Sequence, residues 1–215
     1  MNKEVQTYSI VGHDPDTKSW GVAVASKWLA VGNVVPHAQA GAGAIATQSF
    51  SNTSYGPRGL KLLAEGKGAQ EVLNELLSSD PEAQKRQVGI IDSRGESATH
   101  TGTECNTPAG GVQGKWCVVQ GNTLMSEEVL QTMKETFENA KGDLGHRLYD
   151  ALLAGEQAGG DKRGKQSAAL LVVKEGAGYA GFSDRFIDLR VDDHSEPVVE
   201  LRRLLELHAQ YHFIA

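Results

Sequence analysis

The order of hydrophobic periods along the chain predicts an α+β protein built as a four-layer αββα sandwich, two antiparallel sheets packed together with helices on the outer faces. Strand-like runs fall into groups separated by helix pairs, and helices segregated from strands in this way cover sheets rather than alternate with single strands. The 215 residues, 40% hydrophobic and 22% charged, are enough to bury a core, and a single domain over residues 1–215 is expected. Twenty-five glycines point to tight turns and close backbone approaches.

The first strand is read over residues 6–13, opening at Thr7-Tyr8-Ser9-Ile10-Val11. Asp14-Pro15-Asp16-Thr17 supplies turn chemistry for a hairpin, and the chain returns as a strand over 20–26. Small and β-branched residues continue the β-like pattern through Val31, Val34, Val35 and Ile45. After Gly56-Pro57 the period changes. Leu60, Leu63 and Ala64, then Val72, Leu73, Leu76 and Leu77, give two helices broken at Gly66-Lys67-Gly68 and stopped by Asp80-Pro81. Alternation resumes over 87–92 and 96–101 around an Asp92-Ser93-Arg94-Gly95 turn.

Residues 115–120 read as a buried strand, and Ser126, followed by Glu127 and Glu128, reads as a helix N-cap with acids in the first turn. Val129, Met133, Phe137 and Ala140 line one face of that helix, and Leu144, Leu148, Ala151 and Leu152 line the next. Gly159-Gly160 ends the pair. A nearly continuous apolar strand follows over 168–174, an alternating one over 186–191, and a last helix from about Pro197.

Several function classes are excluded or disfavoured. A formal charge of -6 without basic runs interleaved with aromatics argues against nucleic acid as a partner. No segment approaches the roughly 20 apolar residues of a membrane span, no signal-peptide pattern opens the chain, and a cytoplasmic location is expected. Cys105 and Cys117 form no CxxC pair or framework, so a reduced state is the economical reading. Gly159-Gly160-Asp161-Lys162-Arg163-Gly164-Lys165 has phosphate-loop spacing, but Gln166 replaces the needed hydroxyl residue, and a helix precedes where a strand is required. Residues 41–46 resemble a dinucleotide fingerprint without the following helix. His208 and His212 lack the glutamate of a zinc-protease helix, and Asp192-Asp193-His194 suits helix capping as well as metal ligation. No metal or cofactor is expected.

Polar groups set beside core strands need partners or a purpose. Five such groups stand out: Thr47-Gln48-Ser49 with Asn52 and Arg58; His100-Thr101-Gly102; Gln120-Gly121-Asn122; Asp161 with Arg163; and Gln166-Ser167. Each also has a structural reading, with Asn122 in a turn, Gln166 and Ser167 capping the following strand, and Arg163 pairing Asp161 at the surface. Thr7 is a common strand residue, yet at an N-terminus its own amine would serve as catalytic base.

The motifs Thr7-Tyr8-Ser9-Ile10-Val11, Gly21-Val22-Ala23-Val24-Ala25-Ser26-Lys27, Ala46-Thr47-Gln48, Tyr55-Gly56-Pro57-Arg58-Gly59-Leu60, Val119-Gln120-Gly121-Asn122 and the run 159–168 occur in one order along nearly the whole chain. Together they resemble a bacterial and archaeal family filed as domain of unknown function 1028 and placed in the N-terminal nucleophile (Ntn) hydrolase superfamily. That resemblance implies the αββα sandwich and amide-bond hydrolysis by a chain-terminal Thr. The family's threonine normally follows the initiator methionine, whereas here residues 1–6 precede Thr7 as a propeptide or extension, so cleavage of the Gln6–Thr7 bond or a later start is required.

The expected enzyme is an Ntn-type amidohydrolase of a small amide or peptide-like substrate. Thr7 would be nucleophile and base; Asn122 and Gln48 would be amide donors to the oxyanion; His100 would orient groups or shuttle protons; and Lys27 would lower the nucleophile's pKa. Arg58 and Arg163, with Asp161, Gln166 and Ser167, would bind substrate, the arginines holding a carboxylate. The alternative is an unprocessed, non-catalytic protein that binds a small anionic ligand or acts as an oligomeric interaction protein. A homo-oligomer is expected in either case. Ser9 and Cys117 are weaker internal nucleophiles, because neither has a base visible in sequence.

Overall fold

The first hairpin pairs Thr7–Asp14 (β1) with Ser19–Ser26 (β2), and all sixteen residues are buried because both faces of the sheet are covered. The structure, a computed structural model, describes residues 6–212; residues 1–5 of the expected extension lie outside the described residues. Chain order continues with Pro36–Gln39 (β3), Gly43–Ser49 (β4), Tyr55–Ala64 (α1), Ala69–Ser78 (α2), Arg86–Asp92 (β5), Ser97–Thr101 (β6), Gly110–Gly114 (β7) and Cys117–Gly121 (β8). Glu128–Asn139 (α3), Leu144–Gln157 (α4), Ser167–Lys174 (β9), Arg185–Val191 (β10) and Pro197–His212 (α5) complete it.

The strands form two antiparallel sheets. The larger has the order β10-β9-β2-β1-β8-β7 and the smaller β3-β4-β5-β6. Three apolar clusters explain how they stack. Tyr8 and Ile10 of β1 pack with Phe137, Leu148, Leu152 and Leu201 beneath α3, α4 and α5. One residue further along, Val11 joins Val22 and Val24 of β2, Ala44 and Ala46 of β4 and Ile91 of β5 between the sheets. Ile45, Val88 and Ile90 turn to the other face of the small sheet and pack with Leu63, Val72, Leu73 and Leu76 of α1 and α2.

The period-2 geometry of β1 therefore assigns Thr7 and Ser9, like Val11, to the face between the sheets, and Tyr8 to the helix side. Close approach of the sheets depends on Gly89, because a Cβ there would collide with the Gln120 carboxamide. Residues 159–164 follow a helix and lead to β9, and residues 41–46 lead into β4, so neither glycine-rich run opens a helix.

Two expectations need correction, and one strand has no counterpart in the sequence reading. Glu127, not Ser126, occupies the N-cap of α3, and no side chain bonds the cap there. The strand read over 115–120 is Cys117–Gly121, because Trp116 adopts a positive φ of 63° in the tight β7–β8 turn. Finally, β7 carries no alternation in Gly110-Gly111-Val112-Gln113-Gly114; it forms by pairing with β8 and packing under α3. Both cysteines are buried.

Candidate active site

Thr7 is the first residue of β1, and Ser26, the last of β2, lies opposite it. The two ends meet because the hairpin register is fixed along its whole length. The peptide carbonyl before Thr7 is clamped from two sides: Ser26 Oγ donates to Gln6 O at 2.5 Å and Arg163 Nη2 donates to it at 2.8 Å. Asp161, its carboxyl group 1% exposed, orients that guanidinium through Arg163 Nε and Nη2 at 3.1 and 2.6 Å, and also accepts Arg163 N and Lys27 N. A bidentate carboxylate leaves the guanidinium a fixed direction in which to donate. The next carbonyl, Thr7 O, accepts Asn122 N at 2.9 Å and Gln48 Nε2 at 3.3 Å. Thr7 itself is buried, and its Oγ1 has no hydrogen-bond partner.

Between the sheets, beside Thr7, lies an uncharged network of fully buried side chains. Ser9 Oγ donates to Gln48 Oε1 and accepts Gln120 Nε2, both at 2.6 Å. Gln87 Oε1 accepts both Gln48 Nε2 and Asn122 Nδ2 at 2.9 Å, while Gln87 Nε2 reaches Gly121 O, Thr101 Oγ1 and Gly110 O. Carboxamides suit such a place because they donate and accept without carrying charge into a low-dielectric gap. Gln120 Oε1 and Asn122 Oδ1 keep unfilled acceptor sites.

The expected residues divide into three groups. Thr7, Gln48, Asn122, Asp161 and Arg163 come together around the Gln6–Thr7 peptide, although the amides of Gln48 and Asn122 donate into the buried network and the donors at Gln6 O are Ser26 and Arg163. Lys27 is the neighbour of Ser26, but its exposed ammonium caps Lys165 O at 3.1 Å. Ser167 pairs with Ser26 across β2 and β9, yet its hydroxyl ties down the segment after β2, donating to Trp28 O and accepting Val31 N, while Gln166 reaches Asp193. Two residues are not brought to Thr7. His100 stands opposite Val88, so it shares the helix-covered face of the small sheet, and its Nε2 bonds Ala83 O. Arg58 is exposed on α1 and donates to Ser79 Oγ.

The expected alternatives also find places. His208 Nε2 bonds Phe186 O, and His194 Nδ1 accepts Glu196 N as a cap just before α5. Among the described residues no group of three or more His, Cys, Asp or Glu could hold a metal ion. Burial pushes the Cys117 thiol up to about 12, which disfavours a thiolate nucleophile there. No helix among the described residues is long and apolar enough to cross a membrane.

Sequence reasoning passes over Gln87 and Ser26. Gln87 sits in an alternating strand where a polar residue looks solvent-facing, and only the second sheet makes that face interior. The signal for Ser26 was its register with Thr7, which follows from the two-strand hairpin once the turn is placed.

A family model described as "Family of unknown function (DUF1028)" matches residues 7–201. Among solved structures, the crystal structure of protein SPO2555 from Silicibacter pomeroyi, assigned to the same family, is 32% identical and superimposes with a TM-score of 0.86 over 94% of this chain and 85% of that one. Anbu (ancestral beta-subunit) from Yersinia bercovieri is 11% identical, with a TM-score of 0.41 over 97% of each chain. No curated protein matches the chain.

Proposed function

The chain belongs to the family of unknown function DUF1028, and from that premise we propose that it is an Ntn-type amidohydrolase whose nucleophile is Thr7, released by cleavage of the Gln6–Thr7 bond. The three stacked clusters are read as the interfaces of a four-layer αββα sandwich in one domain. The observation that carries the proposal is the clamp on Gln6 O by Ser26 and the Asp161-backed Arg163, next to a Thr7 hydroxyl without a partner. Donors aimed at a carbonyl oxygen strengthen as that oxygen becomes an oxyanion.

In the maturation step Thr7 Oγ1 bonds to the Gln6 carbonyl carbon, the carbon–nitrogen bond breaks, and the hydroxyl proton moves to the leaving nitrogen. Water then hydrolyses the ester and frees a Thr7 that carries both hydroxyl and α-amine. An α-amine with a pKa of about 7.7–8.0 is matched to base work near neutral pH. The substrate is a small amide, its carbonyl taking the place vacated by Gln6. The test is turnover of an aminoacyl-anilide panel. Wild type should release aniline, Thr7→Ser should retain measurable activity, and Thr7→Ala should have none. Hydrolysis at wild-type rate by a correctly folded Thr7→Ala would overturn the assignment.

A second reading draws on the uncut backbone, in which the Thr7 nitrogen is an amide and cannot act as a base. In that form the protein is a binding module, and anion binding without turnover distinguishes it.

A further inference from the structure

The large sheet ends in β10, whose outer backbone edge pairs with no other strand among the described residues. Of the four edge strands it is the longest, seven residues against four for β3 and five each for β6 and β7. Such an edge is a template for another strand unless something blunts it, and charges commonly do so. Here Asp188 and Arg190 stand two apart at exposed positions, while Ile187, Leu189 and Val191 alternate with them toward the helix side. Within one copy Asp188 pairs with Arg185 and Arg190 with Asp192, at the surface, where such pairs are weak and readily shared.

The order of these residues is self-complementary. When two copies of β10 run antiparallel about a two-fold axis at Leu189, Leu189 faces the partner's Leu189, Ile187 faces the partner's Val191, and Asp188 faces the partner's Arg190. Centring the pair on Asp188 or on Arg190 sets like charges opposite each other, and a slip of one residue turns charges toward the apolar side. Of the three registers centred on these residues, the one at Leu189 satisfies both faces.

A second feature lies beside the same edge. α5 packs over β9 and β10, with α4 on its inner flank. Leu201 and Leu205 point into the core, and Arg202 leans over Tyr149 of α4. Leu204, Leu207 and Tyr211 recur at helical spacing on the flank away from α4, toward the sheet edge, and Tyr211 is 73% exposed. The two-fold axis at Leu189 brings this apolar stripe toward its own copy.

The geometry points to β10 as the pairing edge of a homodimer, in which two six-stranded sheets continue as one. The occupant is a second copy of this chain because an unrelated strand would have to match both the alternating charges and the apolar stripe, whereas a copy matches them by symmetry. Neither Asp188 nor Arg190 belongs to the Thr7 site, so the dimer stands whether or not the Gln6–Thr7 bond is cut.

Sedimentation equilibrium of the full chain is the experiment. Wild type should reach twice the 23.0 kDa of one chain. Asp188→Arg and Arg190→Asp each place like charges opposite one another, and each should raise the dimer dissociation constant by roughly tenfold or more. The double variant Asp188→Arg/Arg190→Asp restores opposite charges across the axis and should restore the dimer. A wild type that stays monomeric at every concentration would overturn the proposal, as would a dimer that neither single variant weakens, or a double variant as weak as the singles. If one single variant fails to fold, the other decides.

Discussion

Ser26 and Arg163 donate to one carbonyl oxygen, and their contributions to the proposed maturation are separable because only Arg163 carries charge. Removing one donor from an oxyanion site typically costs about 100- to 1,000-fold in rate. Ser26→Ala is therefore expected to slow release of residues 1–6 about 100-fold without unfolding the hairpin, since its hydroxyl bonds the Gln6 carbonyl and not the β2–β9 ladder. A time course of intact mass measures this, and an unchanged rate would remove Ser26 from the clamp. Polar Asp161, Arg163, Gln48 and Asn122 were legible as candidates because each interrupts small or apolar sequence. Which of them donates to what was not legible, because the hydrogen bonds join residues up to 157 positions apart.

Among the elements, Asp80 joins α1, α2 and β5 just beyond the end of α2. Its carboxylate accepts Asn52 Nδ2, the Tyr55 hydroxyl on α1, Arg86 Nε at the start of β5, and Glu82 N. The hydrogen bond from Arg86 holds the carboxyl well below the usual carboxylate range, with Asn52, Glu82 N and Tyr55 adding to it against burial. A depressed folded-state pKa gives stability that is fully present above the unfolded value of about 3.9 and is lost as pH falls below it. Asp80→Asn should thus be less stable than wild type by about 3 kcal/mol at pH 7, and the gap should narrow between pH 4 and pH 2. Urea denaturation at a series of pH values reads it, and a gap independent of pH would contradict the role given to Asp80. The helices were readable from 3.6-residue periods and the hairpin from its Asp-Pro turn. By contrast, β7 was not, because Gly110-Gly111-Val112-Gln113-Gly114 has too few side chains to show a period.

At the scale of the whole molecule, the candidate site groups share one end of the gap between the sheets. Thr7, Ser26 and Ser167 are in register across the large sheet, and Gln48, Gln87 and Thr101 across the small one. Beyond them the same gap is filled by Val11, Val22, Val24, Ala44 and Ala46, so the polar end is backed by apolar packing. The segregation of helix pairs from strands made a mixed fold with two antiparallel sheets legible, while the order of strands in each sheet rests on long-range pairing that no local period encodes. The central claim is that this end of the molecule cuts the chain before Thr7. Intact-mass spectrometry with N-terminal sequencing of untagged protein tests it most directly: the account predicts a mature chain beginning at Thr7 in wild type and an uncut chain in Thr7→Ala. A folded wild-type chain that still begins at Met1 or Asn2 after prolonged incubation would contradict it.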